Sequence, residues 1–389
     1  MKIAQFETFL VNAGLRNYLF LRLTTNTGLT GVGEASLEWQ EKTVETFLHE
    51  WVKDRILGED PFDIERIVDH FVRDQYQGGS TVMTAISAVE IALWDLIGKA
   101  CGYPVYQLLG GRTKERFPAY ANGWYGGCRT AADYAAAAFS AVEQGYTGLK
   151  FDPFGVAFRE LSGPAMNDAE ALVRAVREKV GERIKLMIEV HGRLSAGSAI
   201  EMGRRLEKYL PAWYEEPVTP NSLDLLLEVK KSLPFPIAAG ERLYTLHDFY
   251  RLIHLRAADV IQMDIAHCGG ILMAKKIAAL AQAQDLQVSP HCSVGPVALC
   301  AAVHFGWSTP AVSVQEYFGD YDVPWRGALV LGWNPLRQGE FLLPQKPGLG
   351  VELGTAVFPR YPYKPNSFPS LWDKRWLEEL TQAESNAVE

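Results

Sequence analysis

The chain has 389 residues, 48% of them hydrophobic and 22% charged, with a formal charge of −8 at pH 7. That length suits two domains or one large barrel with an added domain, and the composition excludes a disordered or fibrous chain. The acidic balance and the lack of a basic run argue against nucleic acid and anionic membrane surfaces as partners.

The five cysteines are scattered and form no C-x-x-C pair, so neither a disulfide framework nor a cysteine zinc site is expected, and a reducing cytoplasm is the expected location. Residues 1–10 lack a basic segment followed by a long apolar core, so an unexported protein is expected. No uninterrupted apolar run approaches the roughly 18 to 20 residues that cross a bilayer.

The first 33 residues read as an antiparallel meander: Ile3, Phe6 and Phe9 alternate, 18–23 is apolar, and Thr25 to Gly28 make a turn. Helical spacing follows in Ile64, Ile67, Val68 and Phe71, then in Ala85, Ala88, Val89, Ala92, Leu93 and Leu96. Strands followed by helices predict an α+β unit over 1–117.

From Pro118 a repeat of short apolar runs and amphipathic stretches begins. Strands are predicted over 119–125, 148–152, 186–191, 213–216, 237–241, 260–264, 288–291 and 312–316, and eight such β-α units over 118–343 imply a barrel. Between the second and third, Asn167 is expected to cap a helix with Leu172, Val176 and Val180 as its apolar stripe and Gly181 as its end. Prolines punctuate 344–389, which is expected to return to the first unit and to end in a short helix over 372–380. The predicted fold class is α/β, a modified (β/α) TIM barrel with an α+β N-terminal capping domain completed by the C-terminal tail.

Chemistry concentrates at the strand ends. Glu189, Glu215 and Glu241 close three consecutive predicted strands at equal intervals. In a β/α barrel, equivalent positions converge on the C-terminal mouth, where three unneutralised carboxylates would repel. A hard divalent cation removes that cost, and Mg²⁺ is the expected metal. A lone acidic residue is ordinarily a surface residue; three in register at barrel spacing are not.

Asp264 ends the sixth strand and His291 the seventh. A carboxylate that accepts from one imidazole nitrogen fixes the tautomer and leaves the other free to take a proton. His191 lies two residues past Glu189 and so on the same face of the strand, a candidate proton donor. Lys150 and Asp152 share that relation on the second strand. Lys150 is expected to offset oxyanion charge, and Glu316, if protonated, to hydrogen-bond a developing enolate. Asp152, with Arg16 and Tyr18 of the first unit, is a candidate substrate contact, and 76–80 is a further lid candidate.

The sequence Glu189, Glu215, Glu241, Asp264, His291 resembles the enolase superfamily, mandelate racemase subgroup, over nearly the whole chain. Lys150 to Gly155, Ile188 to Arg193 and Tyr120 to Tyr125 look most like its gluconate and galactonate dehydratases. The resemblance implies an imidazole base working with Mg²⁺ to stabilise an ene-diolate, a chemistry documented for that superfamily. It further implies an acid sugar as substrate, loss of the 3-hydroxyl to give a 2-keto-3-deoxy acid, and a homo-oligomer. Racemases of the subgroup carry Lys-x-Lys on the second strand, and Asp152 replaces the second lysine here. The alternatives are an epimerase, racemase or lactone cycloisomerase with Lys150 or His191 as second acid or base, and a non-enzymatic barrel that binds acid sugars.

Overall fold

The structure is a computed structural model that describes residues 1–76, 78–321, 323–332 and 335–367. The chain opens on three antiparallel strands, β1 (Ile3–Ala13), β2 (Arg16–Thr25) and β3 (Thr30–Glu34). Both faces of β2 are buried. Leu19, Leu21 and Leu23 pack with Ile86, Val89 and Leu93 of the helix Ser80–Cys101, whereas Tyr18 and Phe20 belong to the cluster that continues into the barrel. Each buried leucine contributes about 2 kcal/mol, so this strand anchors two units at once.

Helix Ser80–Cys101 is the spine of the first unit. By length and composition alone it is long and apolar enough to cross a membrane, which run length overlooked because Glu90, Asp95 and Lys99 interrupt it. Glu90 and Asp95 are fully buried yet hydrogen-bonded, and most of the helix is enclosed by protein.

Eight parallel strands follow: β4 (Ala119–Ala121), β5 (Gly148–Phe151), β6 (Lys185–Glu189), β7 (Pro211–Glu215), β8 (Ile237–Ala239), β9 (Val260–Ile261), β10 (Gln287–Val288) and β11 (Gln315–Tyr317). Their order is β10-β9-β8-β7-β6-β5-β4-β11. The ends meet through the parallel bridge Val288↔Val312 and the bond from Ser313 N to Val288 O at 3.2 Å. All eight predicted strands are present; the first seven end earlier than expected, whereas β11 starts later and runs one residue further, to Tyr317. The early ends have a chemical reason: side chains there accept from the backbone that follows and turn it out of the ladder, as Asp264 Oδ1 does from Ala266 N at 2.7 Å.

Seven helices cross between the strands, from Ala131–Glu143 to Pro296–Trp307. After β11 the described residues hold two 3₁₀ turns, Gly319–Tyr321 and Arg326–Ala328, in place of an eighth helix. The hairpin of Leu336–Arg337 and Glu340–Phe341 then covers the barrel's N-terminal end, where Ala119 N donates to Gly339 O at 2.8 Å. Residues 344–367 lie against the first unit: Asn12 N donates to Tyr361 O, Asn17 Nδ2 to Lys364 O at 2.9 Å, and Phe20 stacks on Phe358. The helix expected over 372–380 lies outside the described residues.

One helix boundary is corrected. The helix expected to start at Asn167 runs Gly163–Val180, capped by Ser162, with Pro164 in its first turn. Proline fits that position because its missing N–H would be unpaired anyway. The buried stripe is Met166, Ala169, Val173 and Val176, with Leu172 and Val180 on its flank.

Candidate active site

Inside the barrel, Tyr120, Met187, Trp213, Ala238, Val260 and Val314 form an apolar plug, with Tyr120 and Trp213 edge to face. Polar chemistry begins directly above it, since Trp213 Nε1 donates to Glu215 Oε2 at 2.8 Å. The period of two along a strand places Trp213 and Glu215 on one face, and Met187 and Glu189 likewise.

Glu189, Glu215 and Glu241 converge as their register requires, each offering an oxygen within 4.8 Å of the others. Glu189 Oε1 accepts from Val190 N at 3.0 Å and His191 N at 2.7 Å. Its Oε2 is buried and makes no hydrogen bond, although Lys150 Nζ stands 3.2 Å away. Burial, then the Glu189 charge, pushes the Glu215 carboxyl up to about 8. Oxygen donors that crowd one another and leave a buried lone pair unpartnered are what a hard divalent cation fits.

Lys150 is 2% exposed and surrounded by acids, with Nζ 2.5 Å from Glu215 and 2.9 Å from Glu316. Burial disfavours its ammonium, but Glu215 and Glu316 outweigh that and raise its pKa well above the usual lysine value. Glu316 also accepts from Asn122 Nδ2 and Cys292 N, both at 2.8 Å. Burial pushes its carboxyl up, yet Lys150 and then His291 hold it at about 2. Glu316, expected as a protonated enolate donor, has both carboxylate oxygens engaged, Oε1 by Lys150 and Asn122 and Oε2 by Cys292 N.

Two imidazole–carboxylate pairs flank the acids. His291 Nδ1 is 2.7 Å from Asp264 Oδ2, and its Nε2 lies 3.5 Å from Glu241 and 3.9 Å from Glu316. Burial lowers the affinity of this ring for a proton, but Glu241 and Glu316 reverse the effect and raise it well above the usual imidazole value. Asp264 is held below the usual carboxylate range because His267 and His291 override its burial. On the other side His191 Nδ1 meets Asp152 Oδ2 at 2.7 Å, and Asp152 also pairs with Arg193. Asp152, expected as a substrate contact, thus has its carboxylate committed to His191 and Arg193.

The two candidate contacts from the first unit separate. Arg16 reaches the mouth: it donates to Ser293 O, lies 3.6 Å from Glu38 and packs over the Phe318 ring. Tyr18 does not; it is 0% exposed and its hydroxyl accepts from Arg326 Nη1 at 2.7 Å. Two residues apart on β2, Arg16 and Tyr18 share a face; what separates them is position along the strand, Tyr18 lying further in, within the buried cluster between the units. Tyr76 is wholly exposed.

Sequence reasoning missed Arg193, His267 and the pair of buried Glu216 with half-buried Arg242, whose Nε–O distance is 2.6 Å. Glu216 is pushed up to about 7 by burial against the pull of Arg242. The signal for Arg193 was its place two residues past His191; Glu216 gave none, being adjacent to a stronger candidate.

An eight-stranded parallel barrel with an α+β unit at its mouth and convergent acids at three successive strand ends defines a barrel enzyme class built around acid–base chemistry. The comparisons place the chain within it. The family described as "Enolase C-terminal domain-like" matches residues 133–357, and "Mandelate racemase / muconate lactonizing enzyme, N-terminal domain" matches 6–110. The chain belongs to the mandelate racemase subgroup of the enolase superfamily. It is 34% identical over 361 residues to the D-gluconate dehydratase of Thermoproteus tenax, covering 92% of this chain and 72% of that one. It is 36% identical over 335 residues to the D-gluconate/D-galactonate dehydratase of Picrophilus torridus, covering 86% and 85%. A solved mandelate racemase/muconate lactonizing enzyme from Jannaschia sp. CCS1 superposes with a TM-score of 0.86 at 32% identity, covering 94% of this chain and 98% of that one.

Proposed function

We propose that the protein is a Mg²⁺-dependent sugar-acid dehydratase that converts an aldonate such as gluconate or galactonate to its 2-keto-3-deoxy acid. The observation that carries the reading is the acid trio flanked by two separate imidazole–carboxylate pairs, His291–Asp264 and His191–Asp152. Relatives named as gluconate and galactonate dehydratases support the substrate class.

The C2 proton of a carboxylate is a very weak acid, so its removal needs a base in a fixed tautomer and a place for the charge that develops. Glu189, Glu215 and Glu241 would hold the ion, and Mg²⁺ there supplies Lewis-acid stabilisation of that charge. His291, oriented through Nδ1 by Asp264, takes the C2 proton at Nε2; Glu241, the acid that most raises its proton affinity, would be neutralised by the ion it helps to hold, which leaves the ring free to act as base. His191, oriented through Nδ1 by Asp152, delivers a proton to the departing 3-hydroxyl, since hydroxide is a poor leaving group. The enol product tautomerises to the 2-keto acid. Lys150 keeps Glu215 and Glu316 in place; with three carboxylates around its Nζ it is a poor second base, which disfavours epimerisation through that residue.

The test is a panel of aldonates and aldarates with Mg²⁺, scored for 2-keto acid and for exchange of the C2 proton with solvent. Wild type should form a 2-keto product from at least one aldonate and lose the activity when the metal is chelated. His291→Asn should abolish turnover and exchange together, by at least about 10²-fold. His191→Asn should keep exchange while losing product; dehydration that survives in it removes His191 from its role, and an epimer as sole product overturns the reading.

A further inference from the structure

The loop that carries His291 is held at every residue. His291 Nδ1 meets Asp264, Cys292 N donates to Glu316, Ser293 O accepts from Arg16, Val294 O accepts from Arg326 Nη2 at 3.0 Å, and Gly295 N donates to Glu34 Oε1 at 2.5 Å. Glu34 ends β3 of the first unit, is 0% exposed, and its Oε2 also accepts from Val297 N and Ala298 N at 3.0 Å. It therefore satisfies the N-terminal donors of helix Pro296–Trp307, the helix that follows His291.

The helix after Asp264 is treated in the same way. Glu90, buried in helix Ser80–Cys101, accepts from Ile271 N at 2.7 Å and Leu272 N at 2.8 Å at the start of helix Gly270–Gln282. In both places a side chain on the glycine would strike the acid: a Cβ on Gly295 would lie 2.3 Å from Glu34 Oε1, and one on Gly270 2.0 Å from Glu90 Oε2.

The other five barrel helices cap themselves. Thr130, Ser162, Ser195, Ser222 and Thr245 each accept from the third residue of their own helix. Of the seven barrel helices, only the two behind Asp264 and His291 have a glycine as N-cap, Gly269 and Gly295, with no local side-chain cap, and take a carboxylate from the first unit. A buried carboxylate at a helix N-terminus gains both from the exposed N–H donors and from the helix dipole.

We infer that Glu34 and Glu90 are positioning residues, buried acids of the first unit that place the His291–Asp264 pair by capping the helices directly behind it. The effect on rate rests on the dehydratase reading; the effect on the His291 ring does not. A helix displaced along its axis carries the preceding loop with it, and a shift near 1 Å at a base costs on the order of 10²-fold in rate.

Full-length Glu34→Gln, Gly295→Ala and Lys114→Gln, with wild type, test this by steady-state kinetics, thermal midpoint and ring resonances of labelled histidine, His291 being assigned by its loss in His291→Asn. Lys114 is the control, because its Nζ donates to Gly306 O at 2.5 Å in the last turn of the same helix and to Thr309 O at 2.9 Å just past its end. Glu34→Gln turns an amide N–H toward backbone donors, and Gly295→Ala expels the carboxylate while keeping an ordinary extended backbone. Both should move the His291 resonances and lower kcat on the order of 10- to 100-fold with KM within about threefold. Lys114→Gln should lower the thermal midpoint alone. If all three variants lower only the midpoint and leave the His291 signals and kcat per folded site as in wild type, the inference is overturned. Should wild type turn over no sugar acid, the dehydratase reading falls, and displaced or unmoved His291 resonances in Glu34→Gln still decide for or against positioning.

Discussion

Lys150 sits between Glu189, Glu215 and Glu316 at 3.2, 2.5 and 2.9 Å, so its ammonium is the counter-charge that these three buried acids share. Breaking a buried pair by removing one partner costs about 3–5 kcal/mol, because the remaining charge stays uncompensated. Lys150→Met should therefore lower the stability of metal-free protein by that order. It should also enlarge the stabilisation gained on adding Mg²⁺, since the ion then takes over more of the neutralisation. Thermal midpoints of wild type and Lys150→Met, with Mg²⁺ and with chelator, measure both effects; an equal response of the two proteins to Mg²⁺ would show that lysine and ion do not share these carboxylates. At this scale the sequence was legible where chemistry recurred at a fixed strand position, as with the three glutamates. It was not legible for Tyr18, which lies further along its strand among the buried residues between the units, nor for Glu316, whose Oε1 is engaged by a lysine on another strand.

Helix Pro296–Trp307 is buried on all sides, and it is clamped at both ends as well as along its length. Near its C-terminus His304 Nδ1 accepts from Tyr106 N at 3.0 Å while Nε2 faces Leu349 O at 3.2 Å. One ring thus joins the first unit, the barrel and residues 344–367, and only the neutral form can accept at one nitrogen and donate at the other. Burial lowers its pKa to about 4, against an ordinary value of 6.5. The unfolded chain binds this proton first as pH falls, so the contribution is complete above about pH 6.5 and is lost towards pH 4, a change of roughly 3 kcal/mol. Urea unfolding at pH 7 and pH 5 should show His304→Gln less stable at neutral pH but less sensitive to acid than wild type by about 2 kcal/mol; parallel losses would mean that His304 is already charged in the fold. The elements themselves were readable from periodicity and strand-end acids. The caps were not, because Glu34 and Glu90 bind backbone N–H groups, and a backbone donor leaves no mark on residue type.

Across the molecule, Val11, Tyr18, Phe20, Val32 and Ile91 of the first unit lie in the same buried cluster as Ala119, Phe151 and Val303 of the barrel. Glu34 and Glu90 add polar ties across that apolar seam, while Asp95 ties the first unit to residues 344–367, accepting from both Val32 N and Leu349 N. An interface this continuous should not separate before either unit melts. Far-UV and tryptophan signals should trace one coincident unfolding transition, and two separated transitions would show that the units keep independent stability.

The segment 344–367 completes the sheet edge that the chain makes first. Asn17 waits for Lys364 and Ser367 across sequence separations of 347 and 350 residues, and Phe9 and Phe20 wait for Phe358. Synthesis delivers these partners in the opposite order to that in which they are needed. Strands β1 and β2 are accordingly finished only after some 347 further residues have been made, and their apolar side chains must stay shielded or soluble until then.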